Sequence, residues 1–524
     1  MSQGRKETPE PSVFVNAADL YRSLPRSQFY ERLAQVLELD FVYALTQPLY
    51  APKMGRPSLD PVVFFKCMLI GFFENILSDT ELEYRIADSL TLRRFLGYSL
   101  AERTPDESTL RKTRHRMPEE AFRAVFARVL DQCQAAGLLQ GRVIGTDSTL
   151  VDANASMDSL RHKTLGCTYE EYIVALRRQD QPTATREEAA ADDRKRGSGK
   201  ASNQDWASPT DPDARVMQHA DGHTHLSYRA DTTVDLETGV IVTADAELAN
   251  VSDQADFLFR VDEAVETLAE RGLTVAAVVA DKGHHSGENL AGLEERGLVG
   301  LVASPNTARG QPGFRREDFT YDAEQDELVC PAGAVLRRRP TPAGSAAQYQ
   351  ARGRECRACP HFGVCTKSQS GRHLSVPLHE ELIAANRERV YTPELRPLLQ
   401  IRRQRGEGPF GYFKQFGGLR RRAGQGLSYA TKKTLIGAVG WNLLRLLSPR
   451  AAAPAAVAPA AAAAAAPAAV PALRRRAGWV AAMRSRSGRL AGRERVGRQR
   501  RALRTTAAPS APYGAQRATL SGGC

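Results

Sequence analysis

The sequence predicts a mixed α/β protein with an all-helical N-terminal region, one sheet flanked by helices, and a cysteine-rich insertion. Three observations carry this. Apolar residues recur at helical spacing over residues 1–135. From Gly141 the texture changes to short apolar runs alternating with amphipathic stretches. Four of the eight cysteines then fall within 36 residues, from Cys330 to Cys365.

A chain of 524 residues is long enough for several domains and a sizeable core. Its net charge of +12 invites a polyanion-binding reading, but the charge is unevenly placed. Residues 448–524 hold 14 arginines, no lysine and one acid, Glu494, so that tail carries +13 and residues 1–447 carry −1. Pro454, Pro459, Pro467 and Pro471 break its alanine run, which predicts a disordered Ala/Pro- and Arg-rich tail rather than a membrane span. Such a tail is either a non-specific DNA clamp or a dispensable extension. The leader MSQGRKETPEPSV has no apolar core, and eight cysteines are too few for a disulfide scaffold. The expectation is a soluble, cytoplasmic protein with no membrane partner and no small-molecule substrate.

In the N-terminal region, FYERLAQVLELDFVYAL and DPVVFFKCMLIGFFENI both read as helices, and Asp60 is placed to cap a helix beginning at Pro61. VVFFKCMLIGFF contains Lys66 and is too short for a bilayer, so it reads as a buried helix. In TPDESTLRKTRHRM, Thr104 or Asp106 caps a helix carrying Arg111, Lys112, Arg114 and Arg116. That basic face suits a helix-turn-helix-like DNA reader, and equally a solvated surface. Residues 1–135 are thus expected to form a helical DNA-binding domain.

The second region opens with the β-rich GRVIGTDSTLVDA. A polar insert follows at about 158–215, charged and without apolar periodicity. HTHLSYRADTTVD and GVIVTADAEL read as two strands joined by the turn LETG. Then come an amphipathic helix (DQADFLFRVDEAVETLAERG), a buried strand (TVAAVVAD), a helix (GENLAGLEERG) and a second buried strand (LVGLVAS). This order matches a ribonuclease-H-like mixed sheet. The domain is expected to span 141–447, with a Cys-rich insertion at about 305–395 and WNLLRLL as its last core helix.

Asp147 and Asp281 each stand where an apolar strand finishes, and ligands of open α/β sheets gather at the carboxyl ends of strands. Carboxylates collected there would need a hard divalent cation. Asp152 falls on the opposite pleat from Asp147 if the strand continues. A third acid is sought downstream, where Glu407 is the only acid in RRQRGEGPFGYFKQFGGLRRR. Arg403 and Lys414 share its helical face, so the stretch reads as one carboxylate within a phosphate cradle; a solvated salt-bridge partner is the plain alternative. Glu380, Glu381, Glu388 and Glu394 are the other candidates. Gly406, Gly408 and Pro409 place Glu407 at a helix start or kink. Phe410, Phe413 and Phe416 are expected to pack on the sheet. His284 and His285 are expected to be bystanders, since imidazole is a poor Mg²⁺ ligand.

Over residues 20–447 the sequence resembles the DDE transposases of bacterial insertion sequences. The matching pieces are GRPSLDPVVFFKCMLIGFFENILSD, GTDSTLVDANAS, VVADKGHHSGENL and EGPFGYFKQFGGLRRR. The family's Tyr-Arg-Glu-Lys signature falls on positions 400, 403, 407 and 414, where Arg403, Glu407 and Lys414 match and Gln400 replaces the tyrosine. The resemblance implies that Asp147, Asp281 and Glu407 hold two Mg²⁺ (or Mn²⁺) ions for DNA cleavage at the element's ends and strand transfer into a target. It assigns DNA phosphate contacts to Arg403 and Lys414 and implies a homodimer on DNA; Arg420, Arg421 and, on the basic N-terminal helix, Arg111 and Lys112 are further candidate DNA contacts. A nuclease that cuts without joining, or a non-catalytic DNA-binding relic, are the alternatives. Cys330, Cys356, Cys359 and Cys365 could supply four thiolates to a structural Zn²⁺, with His361 and His373 as substitutes, or remain a reduced, metal-free cluster.

Overall fold

The structure is a computed structural model that describes residues 28–50, 58–176, 191, 202–219, 221–304, 313–322, 324–342, 345–416, 419 and 424–448. Residues 177–190 and 192–201 of the polar insert and the tail after Ser448 lie outside these residues, as do Arg420 and Arg421. Two compact units separate within the chain, one built from residues before 310 and after 378, the other from residues 310–378.

The first unit begins with seven helices, α1 Gln28–Val36, α2 Phe41–Thr46, α3 Pro61–Phe73, α4 Asp79–Asp88, α5 Leu90–Leu96, α6 Glu107–Arg116 and α7 Glu119–Ala135. The caps follow the sequence. Asp60 accepts from the N–H groups of Val62 and Val63 with Pro61 in the first turn, and Asp106, not Thr104, accepts from Thr109 N–H at 2.7 Å. α3 is apolar nearly all round and buries Phe64, Phe65, Leu69 and Ile70, as a helix without a wet face must. The basic face of α6 divides. Arg111 and Lys112 are exposed, whereas Arg114 turns inward to a two-pronged ion pair with Asp79. The four basic residues were expected on one surface; a ten-residue helix packed on α4 turns one of them, Arg114, inward.

The sheet follows: β1 Val143–Asp152, β4 Arg215–Gln218, β5 Thr224–Asp235, β6 Ile241–Leu248, β7 Ala277–Ala280 and β8 Val299–Val302. Short β2 Arg161–His162 and β3 Trp206–Ala207 pair separately around α8 Tyr169–Leu176. The order is β4-β5-β1-β7-β8, with β6 also on β5; β1 runs antiparallel to β5 and parallel to β7, and β7 parallel to β8. β1 does not end at Asp147 as its sequence suggested. Its pairing with β7 stops at Gly145, but β5 carries it on to Asp152 opposite Ser227.

Alternation along the strands loads both faces. Ile144, Val278, Ala280 and Val302 pack with Phe257, Val261 and Leu268 of α9 Asp253–Ala269 and Leu290 and Leu293 of α10 Gly287–Glu295. Val143, Val279 and Leu301 face Val390, Leu395 and Leu398 from the chain's later helices. Both sheet margins are closed by an asparagine. Asn442 exchanges two hydrogen bonds with Ile241 of β6 (2.8 and 2.9 Å), and Asn386 does the same with Val302 of β8 (3.1 and 2.7 Å).

The second unit carries an antiparallel sheet of β9 Thr320–Asp322, β10 Glu327–Val329, β11 Val335–Arg339, β12 Ala347–Ala351 and β13 His373–Val376 in consecutive order, with a short helix α11 Gly353–Arg357. Phe319, Leu328, Leu336, Tyr349 and Leu374 form its core. The chain then returns to the first unit as α12 Glu380–Val390, α13 Arg396–Gln415 and α14 Leu427–Leu447.

The helix start expected near Glu407 is not found there: α13 runs through Gly406, Gly408 and Pro409 as one helix. Its buried stripe, Leu398, Arg402, Gly406, Pro409, Phe410 and Phe413, explains why. Tertiary burial of that face offsets the roughly 3 kcal/mol a proline costs inside a helix. Phe410 and Phe413 enter the core, but Phe416, at the helix end, is 44% exposed and leans on Tyr412.

Candidate active site

Parity along β1 fixes where Asp147 points. It shares the side of Val143, the face covered by α13, and lies just past the last residue of β1 that pairs with β7. Asp281 follows the last residue of β7 at the same end of the sheet. Glu407 sits in the middle of α13.

Arg402 joins the three. Its Nη2 lies 2.7 Å from Asp147 Oδ1 and its Nη1 3.8 Å from Glu407 Oε1, and its charge also reaches Asp281. Burial pushes the Asp147 carboxyl up; Arg402 and the Ser148 N–H oppose that, while the fields of Asp281 and Glu407 reinforce it. Asp281 is also raised by burial, but His284 and Arg402 outweigh the effect and hold its carboxyl below the usual range. His284, 2% exposed and packed on Phe257, places Nδ1 2.7 Å from Asp281 Oδ1, and the Gly283 N–H donates to the same oxygen at 2.9 Å.

Gly406 lies one helical turn from Arg402 and faces Asp147. A Cβ there would lie 3.6 Å from Asp147 Oδ2, so the glycine leaves open the space before that oxygen. As the side chains stand, no three His, Cys, Asp or Glu groups among the described residues close on a common point. The three acids share one electrostatic site, with Arg402 between two of them.

A fourth carboxylate borders the site. Asp253, first residue of α9, accepts from Ser148 Oγ at 2.8 Å and lies 3.3 Å from Arg229. Behind it, Arg229 and Arg260 are braced by Asp231 and Asp256 in a buried network. A network of two guanidiniums and two carboxylates fixes this end of β5 and α9 rigidly, at a high desolvation cost.

The expected DNA contacts are dispersed. Arg403 is 80% exposed and 4.0 Å from Glu407; Lys414 is exposed near the end of α13, where its charge reaches His219. Arg111 and Lys112 lie on α6, and Arg111 pairs with Glu107 at 2.6 Å. In the second unit, Cys330, Cys356, Cys359 and Cys365 line one cavity of about 30 Å³ together with His361, and all four are free thiols.

Sequence reasoning missed Arg402, Asp253 and the supporting role of His284. Arg402 had a signal: it stands four residues after Leu398 and four before Gly406, on what is otherwise the apolar stripe of α13. An arginine on a buried face must meet a carboxylate.

Two family profiles match the chain. Residues 18–116 match the Transposase domain (DUF772), and residues 329–447 match the Transposase DDE domain. Together the two matches indicate an insertion-sequence DDE transposase. Residues 117–328 of the transposase, which carry Asp147 and Asp281, lie between the two matches. No curated protein sequence matches the chain. Among solved structures, the piggyBac transposase synaptic complex with hairpin DNA is 10% identical over 93% of this chain and 85% of that one, at a TM-score of 0.32. The Mos1 transposase paired-end complex with left transposon end is 11% identical over 57% of this chain and 61% of that one, at a TM-score of 0.15. Those scores are too low to establish a shared fold. As a DDE transposase the protein is an enzyme of DNA cleavage and transfer that depends on divalent metal. Among the described residues, no helix is long and apolar enough to cross a membrane.

Proposed function

We propose that this transposase cuts the ends of its element and joins them to target DNA through Asp147, Asp281 and Glu407. The observation that carries this reading is that three acids, distant in the chain, lie within one another's fields, two of them paired with Arg402. The residues fit hard divalent ions. All the donors are carboxylate oxygens, the acids repel one another, and Gly406 leaves room before Asp147. Two Mg²⁺ or Mn²⁺ ions, when bound, supply activation of a water or DNA 3′-hydroxyl and stabilisation of the leaving oxygen.

The chain's own residues prepare that site. Arg402 pairs with Asp147 and opposes the rise that burial imposes on its carboxyl. His284 and the Gly283 N–H hold Asp281, which leaves its second oxygen for a ligand. Arg403 and Lys414, both exposed, grip phosphates on either side of Glu407 as fork and point charge. Arg420 and Arg421 are further DNA contacts, and Arg111 and Lys112 contact the element's end from α6. The strand order, with three antiparallel strands followed by two parallel ones, supports a ribonuclease-H-like catalytic domain over 141–447 behind a helical DNA-binding domain over 1–135. The insert at 158–215, the insertion at 305–395 and the tail at 448–524 are elaborations of it. The enzyme acts in the cytoplasm as a homodimer that pairs two element ends.

We also propose a structural Zn²⁺ in the insertion, where Cys330, Cys356, Cys359 and Cys365 line one cavity, although their donors do not converge on a common point as the side chains stand. Four thiols with one nearby imidazole are zinc's preferred donor types, and four protein ligands leave no open catalytic position. Metal analysis of purified protein should find one zinc per chain, lost on Cys359→Ser; a metal-free protein with unchanged stability refutes it.

The test of the main reading is cleavage and joining of a labelled element-end duplex in Mg²⁺ by wild type and Glu407→Gln. Retained binding with chemistry reduced by at least a thousandfold is expected. A mutant that cuts like wild type would make Glu407 a mere partner of Arg402 and Arg403.

A further inference from the structure

Asp253 has no part in the three-acid site proposed above, yet it is tied to both of its aspartates. Ser148 links it to the first: the Ser148 N–H donates to Asp147 Oδ1 at 2.9 Å, and the Ser148 Oγ donates to Asp253 Oδ1 at 2.8 Å. Gly283 lies between it and the second. From the point where a Cβ on Gly283 would stand, Asp253 Oδ2 is 3.5 Å away and Asp281 Oδ2 3.6 Å, so those two oxygens are no more than about 7 Å apart. Asp281 engages His284 and the Gly283 N–H through Oδ1, and Asp253 engages Ser148 and Arg229 through its own Oδ1. Neither Oδ2 has a hydrogen-bond partner among the described residues.

A carboxylate in the first turn of a helix is favoured by the helix dipole, and Arg229 holds this one to β5, so its presence alone needs no further cause. Its second oxygen does. Two carboxylates that face each other across so short a gap repel unless a cation lies with them, and Arg229 is already shared with Asp231 and Asp256. Another feature lies on the same side of the sheet. Thr146 precedes Ser148 by two residues on β1 and so shares its face, toward α9. It is 1% exposed, and its Oγ1 has no hydrogen-bond partner among the described residues. A buried hydroxyl in that state calls for a partner that the side chains around it do not supply.

We propose that Asp253 is a fourth acid of the metal centre and holds, from the α9 side, the water shell of the divalent ion at Asp281. This inference rests on the site proposed above. The spacing supports a hold through water. Mg²⁺ takes oxygen ligands at about 2.1 Å and keeps several waters, so a carboxylate on the ion and another on one of its waters stand up to about 7 Å apart. Asp253 is thus a positioning residue, which acts on the ion and not on DNA.

The experiment titrates Mn²⁺ into full-length wild type, Asp253→Asn and Asp281→Asn without DNA, and follows the free ion by its electron paramagnetic resonance signal. Asparagine still accepts from Ser148 but lacks the charge. Asp253→Asn should bind the ion about 10- to 100-fold more weakly, the usual loss when a group supporting a metal is removed, and Asp281→Asn more weakly still. Tm in chelator reports any structural role separately, because losing the Arg229 pair lowers it without touching the metal affinity. A wild-type affinity in Asp253→Asn beside a weakened Asp281→Asn overturns this inference and leaves the three-acid site standing. A wild-type affinity in Asp281→Asn overturns that site and this inference with it. Should Asp253→Asn fail to fold, Asp253→Ser, which keeps a hydrogen-bonding group there without the charge, reads the same titration with the same outcomes.

Discussion

Replacing Arg402 by methionine tests whether the three acids form one electrostatic unit. The side chains of Arg402 and Asp147 are 7% and 12% exposed and meet at 2.7 Å, so solvent screens their attraction little. Removing one partner of such a pair leaves a buried charge without compensation and costs about 3–5 kcal/mol. Here the abandoned Asp147 also faces the fields of Asp281 and Glu407. Its carboxyl, already raised by burial, loses the main force holding it down and rises further. A carboxyl raised in the fold favours the folded state only below that pKa, so the mutant's deficit should be small in acid and grow as pH rises through it. Divalent cations supply the missing positive charge and should narrow the gap. Urea unfolding at several pH values, with Mg²⁺ and with chelator, reads all three effects. A deficit below about 1 kcal/mol, or one indifferent to both pH and Mg²⁺, would refute the reasoning.

His284→Phe keeps the ring against Phe257 but removes the bond to Asp281, and should slow DNA cleavage about 10- to 100-fold at saturating Mg²⁺; a wild-type rate would show that Asp281 needs no brace. Asn442→Leu strands the N–H and C=O of Ile241 in a fully buried position and should cost about 2–6 kcal/mol in urea unfolding, with a shift under about 1 kcal/mol counting against it. Asp106→Ala removes the cap of α6 and should cost about 1 kcal/mol at neutral pH. The Thr109 N–H and Ser108 hold the Asp106 carboxyl at about 2, below its unfolded value, so the cap's contribution exists above pH ~4 and fades as pH falls through 2. Thermal unfolding of the two proteins should converge near that pH.

Much of the framework was legible because local signals and tertiary structure agreed. Asp60-Pro61 announced the start of α3, and the uniform apolarity of TVAAVVAD announced a strand covered on both faces. Asp147 and Asp281 could be placed at one end of a sheet from strand order alone. The path of α13 could not be read, because Gly406, Gly408 and Pro409 carry local penalties that only the packing of Leu398, Phe410 and Phe413 outweighs. Arg114 was misplaced for a related reason. Its partner Asp79 stands 35 positions earlier, and no periodicity within α6 reports it. Arg402 and Asp253 show the same limit: each is defined by a neighbour on another element.

The asparagine clasps at Ile241 and Val302 have a consequence for the newborn chain. Asn442 lies near the end of α14, so β6 is synthesised some two hundred residues before the side chain that finishes its margin. Until α14 arrives, the Ile241 N–H and C=O stay available to a neighbouring nascent chain, and the apolar surfaces of α3 and α7 lack one of their coverings. Translation that stops before Leu427 would release a sheet with one margin open, a sticky product even though Asp147, Asp281 and Glu407 had all been made. Completion of the fold thus waits for α14.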